Sequence, residues 1–327
     1  MSFRLGLLDK SPIAEGSTGP DALATTLAAA RLADDLGYHR YWLAEHHGSP
    51  GLASAAPEIL VSHILAQTRR IKVGSGGVLL QHYGGYKVAE LFSVLASLAP
   101  GRVELGVGKS PGGLPLATRA IQAELAPGSA RDLDRKLADL DAWLNGIHHG
   151  ADIVPRPAVL PDRFLLGGSV DSAVQAAQLG WNFVHADHQD GDRDKTLAVL
   201  DSYQAIAGRR PILAIAAFAA PSRAEAEDRL GELRIVRPVF ADGHAVNLVT
   251  EDAAHEYARQ YGSEDYRIEI RKPTAIAGTA DDVHQQLQAL QADLGVTDFI
   301  IDQPVADPAA RLTSIELIAR QARRAAA

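Results

Sequence analysis

Glu45-His46-His47 sets two imidazoles directly after a carboxylate, a grouping suited to general acid or base work near neutral pH, with Glu45 able to fix a ring tautomer. A plainer role, a histidine hydrogen-bonded at the rim of a fold, serves either ring equally well. Gly74-Ser75-Gly76-Gly77 is a glycine density that weakens an ordinary strand and marks a bulge or a close backbone approach. Gly167-Gly168-Ser169-Val170-Asp171-Ser172 reads as a strand-to-helix turn. Its hydroxyls and free N–H groups favour an anion, with phosphate the natural guest, although Ser169 can equally be a simple helix cap. Lys109 follows a strand in a loop with no other charge until Arg119, and Arg131 precedes a helix. Each can supply a cation to a phosphate, and each has the plainer reading of a solvated surface charge. A metal needs three or four ligands, and His46, His47, His185 and His188 are the set that strand ends can bring together. No His-x-His pair follows the first strand and no strand-borne lysine or late aspartate completes a hydrolase pattern, so no metal is expected.

The elements that must position these groups are legible as alternation. Short apolar runs and helical patterns succeed one another eight times along 327 residues. The strands are Phe3–Leu8, Arg40–Ala44, Ile71–Leu80 with its glycine interruption, Val103–Val107, Arg163–Leu166, Asn182–Ala186, Ile212–Phe218 and Asp298–Ile301. Gly19-Pro20-Asp21 and Thr279-Ala280-Asp281-Asp282 read as helix starts. A long Gly- and Pro-rich loop runs from Gly108 to about Ala130, and a helical insertion follows strand seven at about 221–274. Eight units in order favour a TIM (β/α)8 barrel as a single domain over 1–327, whose functional groups emerge at the C-terminal ends of the strands. The four clusters above all fall there. A doubly wound sheet is the runner-up, but its first turn lacks G-x-G-x-x-G.

Composition narrows the partners. The chain has 46% hydrophobic and 22% charged residues, enough apolar surface for a packed core. With 32 Lys+Arg against 40 Asp+Glu the net charge of −8 offers no basic field for nucleic acid or an anionic membrane. Zero cysteines exclude disulfides, thiolate metal sites and a cysteine nucleophile. The N-terminus lacks the pattern of a signal peptide and the longest apolar run, Ile212–Ala220, is too short to span a bilayer, so a cytoplasmic protein is expected.

Four stretches together carry a family resemblance: Leu36 through His47, Ile71 through Val78, Lys87-Val88-Ala89-Glu90, and Pro100 through Gly108. Over nearly its whole length the chain resembles the bacterial luciferase-like flavin monooxygenases. The resemblance implies a TIM barrel, usually a homodimer, that takes reduced FMN from a separate reductase and reacts it with O2 to a C4a-hydroperoxide. In one branch a deazaflavin coenzyme passes hydride instead, and some relatives hold flavin without turnover. The resemblance further implies a non-proline cis peptide at Gly76-Gly77 behind the flavin ring and a proton-handling role for His46. It assigns the flavin phosphate to Gly168, Ser169 and Ser172, to Lys109 where the luciferases have an arginine, and to Arg131. Gln81-His82-Tyr83-Gly84-Gly85-Tyr86 replaces a Pro-containing stretch of the family. An apolar or aromatic small organic substrate, or an aldehyde, is expected.

Overall fold

The computed structural model describes residues 3–125, 132–148, 150–186, 192–231, 233–248, 250–272 and 274–326. Arg131 and His188 lie outside the described residues. In chain order the strands are β1 (Arg4–Asp9), β2 (Arg40–Leu43), β3 (Lys72–Ser75), β4 (Val78–Leu79), β5 (Val103–Gly108), β6 (Asp162–Gly167), β7 (Asn182–Ala186), β8 (Ile212–Ala219), β9 (Ile235–Phe240), β10 (Tyr266–Arg271), β11 (Ala275–Gly278) and β12 (Asp298–Asp302). The helices are α1 (Gly19–Asp35), α2 (Pro57–Gln67), α3 (Gly85–Leu98), α4 (Pro115–Gln122), α5 (Leu133–Asn145), α6 (Val170–Gln178), α7 (Arg193–Ala207), α8 (Arg223–Leu230), α9 (Glu251–Tyr261), α10 (Ala280–Leu294) and α11 (Pro308–Ala326).

Eight strands, β1-β2-β3-β5-β6-β7-β8-β12, pair in parallel and close on β1, with β4 continuing β3 alongside β5. This is a TIM barrel. The period of two decides what each strand buries where. Leu5, Leu7, Tyr41, Leu43, Val73, Leu105, Phe183, Phe299 and Ile301 face outward into the large core shared with the helices. Leu8, Trp42, Phe164, Leu166, Val184, Ile212, Ala214 and Ile300 form a second, separate cluster inside the barrel. Helix starts follow the sequence signals: Thr18 with Asp21 and Thr279 with Asp282 both form complete capping boxes.

Three elements differ from the sequence reading. The loop after β5 contains α4, opened by Pro115. The insertion after β8 holds α8 and α9 as expected, but also β9 and β10 paired antiparallel. Pro238 argues against a strand there, because it cannot donate to a ladder; a two-stranded ribbon tolerates it, having no central strand. The ribbon rests on α9 through Phe240, whose ring centroid is 4.5 Å from that of Tyr261. Finally, β11 adds to the upper half of β8, from Ala216 to Ala219, while β12 pairs with Leu213 to Ala216 below it.

The N-terminal end of the barrel is closed by charge. Buried Arg40 reaches Glu104 at 3.1 Å and Asp298 at 2.6 Å, and Trp42 Nε1–H donates to Glu104 at 2.5 Å. Lys72 bridges to Asp162 at 2.5 Å, and Arg4 pairs with Asp298 at 3.1 Å. A cavity of about 260 Å³ opens at this end, among these same residues.

Candidate active site

At the opposite end, many inward-facing positions lack side-chain bulk, among them Gly76, Gly106, Gly108, Gly168, Ala186 and Ala216, with Phe218 the large residue that follows on β8. Close packing explains part of this. A Cβ at Gly76 would stand 2.6 Å from Leu8 Cδ1 and 3.0 Å from Trp42 Cβ, and one at Gly77 would stand 2.8 Å from the Gly106 carbonyl. The peptide between Gly76 and Gly77 is cis, at the position the resemblance assigned. Gly168 is different, since nothing lies within 4 Å of where its Cβ would be. Small apolar residues therefore line the mouth from β3 round to Ala216 of β8.

His46 stands at one edge of that lining. Its backbone N–H is fixed to the Ser54 carbonyl at 2.9 Å, while its ring Nδ1 is buried without a protein partner. Burial, reinforced by the charge of Lys10, pushes its pKa down to about 4, so the ring is neutral at pH 7. Glu45 does not serve His46. Its carboxylate accepts from Leu79 N–H at 3.0 Å and from the Tyr83 hydroxyl at 2.7 Å, and lies 2.7 Å from His47 Nε2. An ionised carboxylate only accepts, so Glu45 puts the proton of His47 on Nε2. His82 packs edge-on against His47, 5.5 Å between centroids. Its Nε2 faces the Pro111 carbonyl at 2.9 Å and its Nδ1 the Gln122 amide at 3.0 Å, which ties the end of α4 to the wall after β4. Tyr83, His82 and Gln122 escaped the sequence reading as site residues, although the stretch 81–86 had drawn attention as unusual.

The other rim carries the groups that the sequence assigned to an anion. Ser169 is the cap of α6: its Oγ accepts from Ser172 N–H at 3.2 Å and lies 3.0 Å from Ser172 Oγ. Both the plain capping role and a helix N-terminus open towards Gly168 are thus present together. Lys109 Nζ donates to Gln175 Oε1 at 2.8 Å, one helical turn beyond Ser172, and Gln175 Nε2 donates to Asp134 Oδ1 at 2.8 Å. Lys109, Ser169 and Ser172 therefore gather on the β5–β6 side. Of the histidines weighed as metal ligands, His46 and His47 sit at the mouth, whereas His185 turns outward to Thr196 of α7 at 3.3 Å.

The β1–β12 side holds polar groups that sequence reasoning missed. Lys10 pairs with Asp302 at 2.5 Å. Asp9 is buried and accepts from Ser11 N–H and from the Tyr41 hydroxyl, and pairs with Arg311 at 2.7 Å. The period of two was the available signal: Lys10 follows Leu8, and Asp302 follows Ile300, on the inward face.

The donor set suits a flavin-type cofactor: small residues line the mouth, the turn at Gly168 is free of neighbours and stands near Lys109 on the phosphate-type rim, and Nδ1 of His46 is buried without a protein partner.

Comparison with known proteins agrees with this geometry. The family model for luciferase-like monooxygenases matches residues 3–298. The N-acetyl-S-alkylcysteine monooxygenase of Bacillus subtilis (strain 168) is 39% identical over 326 residues, covering 97% of each chain. The crystal structure of apo-MsnO8 superposes with a TM-score of 0.77 at 31% identity over 98% of each chain. The oxygenating constituent of 3,6-diketocamphane monooxygenase from Pseudomonas putida, solved with FMN, has a TM-score of 0.72 at 19% identity, covering 98% of this chain and 97% of its own, which shows the shared fold. With its closed barrel and a family match over most of its length, the chain belongs to the luciferase-like monooxygenase family.

Proposed function

We propose that the protein is an FMN-dependent monooxygenase acting on a small, largely apolar substrate with one polar end. The observation that carries this reading is the arrangement of the mouth: small apolar residues between a rim at Lys109, Ser169 and Ser172 suited to an anion and a neutral, half-buried His46 whose Nδ1 is buried. Bound reduced FMN supplies two electrons to O2, one oxygen atom going to the substrate and the other to water. The chain's own part is to bind, orient and keep dry. Gly168 N–H, Ser169, Ser172 and Lys109 hold the phosphate, Gly76 and Gly77 support the ring, and His46 exchanges a proton through Nδ1. The relative named for N-acetyl-S-alkylcysteine supports a thioether of that kind as substrate. Reduced FMN comes from a separate reductase, and the working form is a homodimer, which light scattering would report as twice the 34.7 kDa chain.

Incubation with a flavin reductase, FMN, a nicotinamide donor, an N-acetyl-S-alkylcysteine and ¹⁸O2 tests the reading. One labelled atom in the product, dependent on the protein, is the expected result. Flavin oxidation with no label in any substrate-derived product overturns it.

A further inference from the structure

Lys10 is the cation that the inward alternation of β1 delivers to the barrel mouth. Leu8 is in register with both Trp42 and Asp302, inside the barrel, and Lys10 lies two residues further along the same face. The turn that presents it is tightly held. Ser11 has φ +49°, the one positive φ of a non-glycine among the described residues, and is fully buried. Its N–H donates to Asp9 Oδ1 at 2.7 Å, its Oγ accepts from Thr26 at 2.9 Å, and its carbonyl accepts from Ala53 N–H at 2.9 Å. A side chain in left-handed backbone persists where its surroundings enforce it, and such places cluster at ligand sites. The Lys10 side chain keeps 35% exposure, while its partner Asp302 keeps 7%. The pair thus faces the mouth through its ammonium. Behind it Arg311 is 4% exposed, pairs with Asp9 through one nitrogen, and leaves Nε and Nη1 buried without partners. Asp302 is among the carboxylates whose charge favours the protonated guanidinium of Arg311. Lys10 follows β1 and His46 follows β2, neighbouring parallel strands, so the two stand on the same side of the mouth, whereas Lys109 follows β5, two strands beyond β2.

Resting on the monooxygenase reading above, we propose that Lys10 is a specificity-determining residue that binds the carboxylate of the substrate. Asp302 beside it accepts the adjacent amide N–H. An N-acylated amino acid has these two groups on one carbon, and its S-alkyl arm would then extend over the small apolar residues of the mouth towards His46. Ammonium-to-carboxylate contacts of this kind are charge-assisted and directional.

The test compares N-acetyl-S-benzylcysteine with its methyl ester in the wild type, Lys10→Met and Lys10→Arg. Two readouts are taken: kcat and KM with reductase-supplied FMN, and the Kd from perturbation of the absorbance of bound oxidised FMN, which needs no turnover. The wild type is expected to favour the acid by roughly tenfold or more in Kd. Lys10→Met brings acid and ester together by raising KM for the acid with kcat little changed, and Lys10→Arg restores most of the preference. FMN affinity stays constant across all three proteins. Equal binding of acid and ester by the wild type overturns the inference, and so does a retained acid preference in Lys10→Met. Loss of FMN binding in Lys10→Met overturns it too, by assigning Lys10 to the flavin. If the wild type binds no FMN, the monooxygenase reading itself has failed, a result distinct from each of these. Should Lys10→Met not fold, the wild-type comparison and Lys10→Arg still decide.

Discussion

His46 is held as a neutral imidazole because burial, not hydrogen bonding, sets its proton affinity. Its pKa of about 4 lies below the ordinary 6.5, so between these values the unfolded chain binds a proton that the folded chain refuses. Stability therefore rises with pH across that window and is lost as pH falls from about 6.5 to about 4, by on the order of 3 kcal/mol for this one ring. Urea midpoints at pH 7 and pH 5 should differ less in His46→Asn than in the wild type, and the imidazole proton shift should show no titration between pH 6 and 8. A ring titrating near its ordinary value would contradict the burial account. Function follows from the same neutrality: His46→Ala should spare FMN binding while lowering product yield. Wild-type product yield from that variant would remove His46 from the chemistry. On the opposite rim, Lys109→Met should weaken FMN by roughly tenfold and leave riboflavin binding unchanged, because the proposed contact is to phosphate alone. Equal losses for both ligands would place Lys109 against the ring instead. His46, Lys109, Ser169 and Ser172 were legible as types at strand ends. Tyr83 and Gln122 were not, since an uncharged side chain acquires its role only when the chain brings it to Glu45 or His82.

At the scale of elements, the strands were readable because each buries both faces and so appears as a short apolar run. The inserted ribbon was not, because β9 and β10 bury one face at most and carry Arg and Pro among their residues. Helix α4 was hidden because it is eight residues long inside a Gly- and Pro-rich loop, too short for its apolar period to stand out, and Pro115 is its one buried residue. Its position comes from partners far along the chain. Leu116 N–H donates to Gln260 Oε1 at 3.0 Å and Arg119 donates to the Gln260 carbonyl at 3.0 Å, joining α4 to α9. Gln260→Ala should speed amide exchange in α4 and leave the barrel strands protected, as measured by hydrogen exchange. Unchanged exchange in α4 would mean the Arg119 bond to the residue-260 carbonyl and the Gln122–His82 contact suffice. The charged plug at the barrel base makes the opposite kind of claim. Glu104→Gln leaves the buried guanidinium of Arg40 short of one carboxylate and should cost about 3–5 kcal/mol in urea unfolding, with FMN affinity retained. A loss below about 1 kcal/mol would show that Asp298 alone satisfies Arg40.

For the molecule as a whole, the two ends of one barrel divide the work. Ion pairs line the base, large inward side chains fill the middle, and small residues line the top, so stability and the proposed binding draw on different residues of the same strands. The eightfold repeat of strand and helix made this architecture legible from the sequence, and the strand ends followed from it. The pairing of Lys10 with Asp302 across the barrel's closure did not, since β1 and β12 meet only when the barrel shuts. The most direct test of the central claim, that the mouth is a site for reduced FMN, is anaerobic titration with reduced FMN and, in parallel, reduced deazaflavin coenzyme. Saturable one-to-one binding of reduced FMN, clearly tighter than that of the deazaflavin, is the predicted result. Preference for the deazaflavin, or binding of neither, would contradict it.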